Sequence, residues 1–322
     1  MAFRKIAVLT SGGDAPGMNA AIRSVVRTAA ASDVETVGVR SGFRGLMDGD
    51  FVPLDVRSVG GIITRGGTML GSARALEFKT DDGQVRAVHQ LERAGVDGLI
   101  VIGGNGSHTG ALAMHAAGLP TMGVASTIDN DLGGVDTSIG VDTALNTAVQ
   151  LIDRIRDTAS SHHRAFVVEV MGRRSGYIAL MSGIAAGAEL ILTPEVPVDK
   201  DQATRALRAA YAAGKSHFVV VAAEGSPLKA SELLDHLTTL PEFEARLSIL
   251  GHLQRGGSPL VFDRLLATRT AAAAAAGLLE GKSGLMAGLI RGRISLIPIE
   301  TAIAPVDKVT PELCALADVL AR

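Results

Sequence analysis

The sequence has no tryptophan, and its only cysteine is Cys314. A lone thiol excludes disulfide scaffolds and thiolate metal cages, and it suits a reducing compartment. Aromatic residues make up only 3% of the chain, too few for the stacking platforms that hold single-stranded nucleic acid. The formal net charge of -2 leaves no basic footprint for a duplex. No apolar run approaches membrane-spanning length. The opening stretch MAFRKIAVLTSGGD reaches glycine and aspartate too soon for a signal-peptide core. The expectation is therefore a cytoplasmic protein with no nucleic-acid or membrane partner.

What is present is an ordinary globular composition: 322 residues, 47% hydrophobic and 20% charged, enough for two domains. Short β-type runs alternate with helical patterns. Strands are expected at Ile6–Thr10, Val34–Arg40, Gly98–Ile102, Thr121–Val124, Ala165–Met171, Glu189–Leu192, His217–Ala223 and Arg246–Leu250. Their apolar runs do not alternate cleanly, as in strands buried on both faces. Helices are expected at Gly17–Ala31, Val85–Ala94, Ser138–Thr158, Lys200–Ala213 and Asp263–Leu279. This βα rhythm gives the fold class, α/β with mainly parallel sheets covered by helices. A domain boundary falls near residue 140, and Leu285–Ile299 reads as two short strands around Arg291-Gly292-Arg293.

Three turns follow strand ends. Thr10–Asn19 reads TSGGDAPGMN; its glycines admit an anion close to the backbone, and free N–H groups open the next helix. It is neither a Walker loop nor a dinucleotide fingerprint, and a plain tight turn fits it equally well. Gly103-Gly104-Asn105-Gly106-Ser107 is the second, and Thr127-Ile128-Asp129-Asn130-Asp131 the third. Parallel strands gather such turns at one edge of the sheet, where ligands bind. Two nearby aspartates can divide labour, one taking a proton and the other organising metal and neighbours. Singly, each is an ordinary turn aspartate; together they point to phosphoryl chemistry. Arg74, Arg173 and Arg255 lie beside glycine-rich turns and suit phosphate oxygens, though any one alone is an ordinary solvated charge. Arg23 and Arg27 repel each other at helical i, i+4 spacing, which an anion or plain solvation relieves.

The motifs TSGGDAPGMNAAIR, RGGT–LGSAR, GGNGS, TIDND, DRIRDTASSHHR, EVMGRRSGY and LGHLQRGGSP occur in the order found in 6-phosphofructokinases. The resemblance spans nearly the whole chain and is strongest to the bacterial ATP-dependent type. It implies two Rossmann-like domains, 1–140 with 254–304 binding ATP and 141–253 with 305–322 binding fructose 6-phosphate. The implied reaction moves the ATP γ-phosphoryl group to the sugar 1-hydroxyl with Mg2+. On this resemblance Asp129 is the general base, Thr127 and Asp131 are its active-site neighbours, and Arg173 faces the reacting phosphate. Arg164 and Arg246 resemble arginines that reach a neighbouring subunit's sugar 6-phosphate. Met171, Gly172, Glu224, His252 and Arg255 match further sugar contacts. Gly13, Arg74, Ala75, Gly104, Asn105, Gly106 and Ser107 match the ATP site.

The pyrophosphate-using branch carries Asp at the position of Gly106 and Lys at that of Ser126; both are absent, which favours ATP. Ser126 and Ala125 still depart from the glycine and proline usual in the ATP branch. The resemblance also implies a homotetramer with an effector site for ADP or phosphoenolpyruvate, matched here by Arg23, Arg27, Arg156, Glu189 and Lys215. Ala213 and Val56 stand where that site usually has Lys and Arg, so a weaker or retuned effector response is expected. Asn105 replaces the aspartate that helps hold magnesium. It keeps one oxygen but loses the charge, so weaker metal affinity and slower turnover are expected, by about one to three kcal/mol. A regulatory paralogue that binds both ligands without useful turnover is the alternative.

Overall fold

The computed structural model describes residues 3–162 and 164–321. His163, quoted above within DRIRDTASSHHR, lies outside the described residues. The strands are β1 (Lys5–Ser11), β2 (Glu35–Val39), β3 (Phe51–Leu54), β4 (Gly98–Gly103), β5 (Thr121–Ala125), β6 (Ala165–Val170), β7 (Leu190–Leu192), β8 (Phe218–Ala223), β9 (Ala245–Ile249), β10 (Leu285–Ile290) and β11 (Arg293–Pro298). The helices are α1 (Met18–Ala30), α2 (Gly42–Asp48), α3 (Asp81–Arg93), α4 (Asn105–Ala116), α5 (Val141–His162), α6 (Tyr177–Ala186), α7 (Lys200–Ala212), α8 (Ala230–Thr238), α9 (Val261–Leu279), α10 (Ile299–Ile303) and α11 (Pro311–Leu320). None of the described helices is long and apolar enough to cross a membrane.

The chain divides into two compact units. The first runs to Asp142 and takes up Arg255–Val306; the second holds Thr143–Gln254 and the segment from Asp307 on. The first unit's sheet has the order β11-β10-β5-β4-β1-β2-β3. Its five inner strands are parallel, and β3 and β11 add antiparallel edges. The inner strands are mostly apolar because helices cover both faces; β1 and β4 are almost wholly buried. On one face Leu9, Phe43, Leu91, Leu99, Val101, Met114, Leu132 and Ile299 form a single core. The second unit's sheet, β7-β8-β6-β9, is entirely parallel, with a core of Val167, Leu192, Leu207, Phe218, Leu233 and Phe243.

Every expected strand is present, with its end shifted by a residue or so. Three differences have local causes. α5 starts at Val141 rather than Ser138 because Ile139 makes an isolated parallel bridge with Ser126 and Gly140 takes a positive φ of 103°. α3 starts four residues before Val85, since Thr80 caps it by accepting from the Gly83 N–H at 3.2 Å. β7 starts after Glu189, whose carboxylate itself takes the Val219 N–H at 2.7 Å. The sequence pattern predicts no helix or strand between β2 and α3. α2 is seven residues with two glycines, and β3 is a four-residue edge strand containing Pro53, a pattern tolerated only at an edge.

Candidate active site

Three strand ends of the first unit meet. After β1, Gly12 turns through a φ of 84° and faces the Ser107 hydroxyl, which would lie 3.3 Å from a Cβ there. After β4, a side chain on Gly103 would collide with Ser107 and with the Ser11 carbonyl. Gly104 lies against Thr127: a Cβ on it would stand 3.3 Å from the Thr127 Cβ. The Ser126 N–H donates to the Gly103 carbonyl at 2.9 Å. The β1, β4 and β5 turns therefore touch, and Gly103 leaves no room for a side chain where the first two close in.

The β5 turn is held from within. Ser138 Oγ donates to the Thr127 carbonyl at 2.7 Å, and the Asp129 N–H donates to Thr127 Oγ1 at 3.2 Å. Asn130 is fully buried at a left-handed φ of 50°, a conformation asparagine tolerates better than most residues, and it donates to the Asp136 carbonyl at 3.4 Å. Asp129 and Asp131 on either side are half-buried.

Residues 65–75 run beside the β1 turn. Asn19 donates to the carbonyls of Arg65 and Gly66 at 3.0 and 3.1 Å and accepts from the Met69 N–H at 2.7 Å. Ser72 Oγ donates to the Gly12 carbonyl at 2.6 Å, which brings the backbone next to exposed Arg74 up to the turn. Arg255, expected among the sugar contacts, lies on the glycine turn: Nη1 donates to the Asp14 carbonyl at 2.9 Å, and the guanidinium fills the space beside Gly13.

Gly106 is exposed, with open space where a side chain would go. Ser126 is buried, and its hydroxyl donates to the Ile139 carbonyl at 3.4 Å. Asn105, the first residue of α4, donates from Nδ2 to the Ile303 carbonyl at 3.3 Å. Sequence reasoning missed His108, one turn on. It is fully buried, and its Nδ1 lies 2.8 Å from the Gly104 carbonyl. Burial pushes its pKa down to about 4, against the opposing pull of that bond, so the ring is neutral and Nδ1–H is the donor. Its position four residues after Gly104 on a helix was the available signal.

In the second unit the turns after β6 and β8 interlock. The Gly225 N–H donates to the Gly172 carbonyl at 3.0 Å, and the Glu224 N–H to the Val170 carbonyl at 2.9 Å. Gly172 has a φ of 130°, and the Ser175 carbonyl occupies the place of a side chain. Met171 is buried, with its N–H toward Gln254 Oε1 at 3.4 Å; Arg173 and His252 are exposed. Burial raises the pKa of Glu169, and the Glu224 carboxylate raises it further. Arg164 and Arg246 converge on one residue that the sequence reading did not single out, Glu244: its Oε1 accepts from Arg164 Nε at 2.8 Å and from Arg246 Nη2 at 2.7 Å.

Of the expected effector residues, three come together in the second unit. Glu189 is buried, with Lys215 Nζ at 3.3 Å and Arg156 Nη1 at 3.8 Å. Arg23 and Arg27 lie on α1 of the first unit.

Residues 5–278 match the family model described as Phosphofructokinase. The chain is 50% identical over 321 residues, 99% of its length and 100% of the relative's, to "ATP-dependent 6-phosphofructokinase 1" of Thermus thermophilus. It is 48% identical over 319 residues, again 99% and 100% of the two chains, to "ATP-dependent 6-phosphofructokinase" of Thermotoga neapolitana. Among solved structures it superposes on phosphofructokinase from Saccharomyces cerevisiae with a TM-score of 0.88 and 35% identity, covering 99% of this chain and 48% of the yeast one. The chain thus spans about half the yeast chain's length. A pyrophosphate-dependent phosphofructokinase from Marinobacter aquaeolei shares the fold, with a TM-score of 0.86 at 21% identity, over 99% of this chain and 91% of that one.

Proposed function

This chain belongs to the phosphofructokinase family, and from that premise we propose that it transfers the ATP γ-phosphoryl group to the 1-hydroxyl of fructose 6-phosphate. The observation that carries this reading is the meeting of three turns through Gly12, Gly104 and Thr127, which brings two glycine turns and the Asp129 loop to one edge of one sheet. Such a cradle offers backbone N–H groups to phosphate oxygens and a carboxylate to a hydroxyl.

In the proposed step the 1-hydroxyl oxygen bonds to the γ-phosphorus as its proton passes to Asp129. The bond from the γ-phosphorus to the β,γ-bridging oxygen breaks, and ADP leaves with that electron pair. Thr127 holds the Asp129 backbone, Asp131 shares the loop, and Arg173 neutralises charge on the moving phosphoryl group. The first unit binds ATP through Gly13, Arg74, Ala75, Gly104, Asn105, Gly106 and Ser107. The second binds the sugar phosphate through Arg164, Met171, Gly172, Glu224, Arg246 and His252. Arg255, beside Gly13, is assigned to the sugar by resemblance and to the cradle by its contacts.

ATP is the proposed donor. The open space at Gly106 supports a nucleotide over pyrophosphate, and the Ser126 side chain is turned inward rather than toward a ligand. Among the described residues no three His, Cys, Asp or Glu side chains form a metal cage. The loop oxygens still fit magnesium, an ion held largely by substrate phosphates and water with one or two carboxylates. Asp131 would supply a carboxylate, while Asn105 brings no charge to the ion; when bound, the ion would offset charge on the transferring group. By resemblance the enzyme is a cytoplasmic homotetramer that binds ADP or phosphoenolpyruvate near Arg156, Glu189 and Lys215, with Arg23 and Arg27.

The test is fructose 1,6-bisphosphate formation by the purified chain, supplied with ATP or pyrophosphate across a magnesium series. Product with ATP is expected; no product with either donor overturns the reading.

A further inference from the structure

Two of the three turns lean on one short helix. α10 has five residues, and a helix end leaves its last carbonyls without partners inside the helix. Its core side is fixed: Ile299 and Ala302 are fully buried, and the Ile299 N–H donates to the Gly284 carbonyl at 3.0 Å. Its carbonyl end receives both site segments. Asn105 Nδ2 reaches the Ile303 carbonyl at 3.3 Å. The Gly133 N–H, four residues after Asp129, reaches the Ala302 carbonyl at 2.9 Å. Gly133 packs so closely that the Thr301 carbonyl occupies the place of a side chain, with the Ala304 carbonyl 3.3 Å from it. The helix therefore touches the start of α4 on one side and the aspartate loop on the other.

Residue type at position 105 matters for this arrangement. An amide can donate to a carbonyl; a carboxylate cannot, and would set oxygen against oxygen. We infer that Asn105 is a positioning residue: its amide clasps the first turn of α4 to α10 and so fixes the glycine cradle relative to the Asp129–Asp131 loop. The clasp rests on the phosphofructokinase reading above for its catalytic consequence, though not for its structure. At this position the chain gives up a charge near the phosphates and gains a fixed register between two turns.

Asn105→Ala and Asn105→Gln would be compared with the native chain in two ways. The first is hydrogen exchange of peptides covering 129–134 and 299–304. The second is steady-state kinetics at varied ATP and magnesium. In Asn105→Ala both peptides should exchange about three- to tenfold faster, the scale of one lost hydrogen bond, and kcat/KM for ATP should fall by a similar factor. The magnesium concentration for half-maximal rate should stay put. Asn105→Gln, which keeps an amide on a longer stem, should recover part of both losses. Unchanged exchange in Asn105→Ala, or a shift in magnesium requirement with no other change, overturns the clasp. If Asn105→Ala does not fold, Asn105→Ser serves in its place under the same criteria. If the native chain makes no fructose 1,6-bisphosphate, the functional reading fails and the exchange arm alone decides the clasp.

Discussion

On the proposed reading, the two units approach phosphate with different materials. In the first, the turns at Gly12–Gly13, Gly103–Ser107 and Thr127–Asp131 are built from backbone. Glycines allow close approach, buried His108 holds the Gly104 carbonyl, Asn19 holds the neighbouring 65–69 segment, and one arginine rests over the turn. In the second, the same task would fall to charged side chains already paired inside the unit: Arg164 and Arg246 on Glu244, and Lys215 and Arg156 on Glu189. A backbone cradle is preorganised and discriminates by shape, so an added methyl group should harm it. A paired arginine cluster must exchange partners when an anion arrives, so removing the internal partner should help binding.

The largest effect should come at the carboxylate of the backbone site. Asp129→Asn removes the proposed base while leaving the loop's backbone bonds in place. Turnover should drop about 10²- to 10⁴-fold in a product assay, with sugar phosphate binding retained by calorimetry. Next is the buried imidazole. The unfolded chain's His108 takes a proton below the ordinary 6.5, whereas the native ring refuses it until about 4. Stability contributed by His108 is therefore complete above pH 6.5 and is lost as pH falls toward 4, by about 3 kcal/mol at the limit. His108→Asn should flatten that part of a thermal-melting profile taken from pH 7 to pH 4.5; an equally steep profile would refute a neutral, loop-holding histidine. Smaller again, Gly13→Ala should push the Arg255 guanidinium off the β1 turn and cut kcat/KM about tenfold, by displacing one charge-assisted hydrogen bond. The smallest is on the charged side. Glu244→Gln should lower KM for fructose 6-phosphate about two- to fivefold, the scale of an exposed ion pair, and the gain should shrink in high salt. A raised KM would mean that Glu244 orients the arginines instead of competing with the phosphate.

The same contrast explains what the sequence made legible. Strand–glycine–helix turns stand out because buried parallel strands are unbroken apolar runs, and the glycines mark their ends. The seven-residue α2 and the proline-bearing edge β3 lack any periodic signal. Asn105 was visible as a departure from pattern, but not its bond to Ile303, 198 residues away. His108 and Glu244 were invisible for opposite reasons. One looks like any helical histidine until burial is known; the other looks like any surface acid until two arginines are seen to share it. The contacts of Arg255 were likewise not legible: its motif gives no sign that the side chain rests on the glycine turn.

The discontinuity of the first unit has a consequence for how the protein is made. Asn105 and its carbonyl partner are separated by the Thr143–Gln254 part of the second unit, so the clasp cannot close while the ribosome is still adding those 198 residues. At ordinary synthesis rates that interval is about 10 to 40 seconds. For most of it the β1, β4 and β5 turns exist without α9, β10 or α10 beside them. The four-stranded sheet of the second unit is by then fully synthesised. Phosphate-binding competence should thus be among the last properties the nascent chain acquires, and a release from the ribosome before residue 299 should leave a formed four-stranded sheet attached to an unfinished cradle.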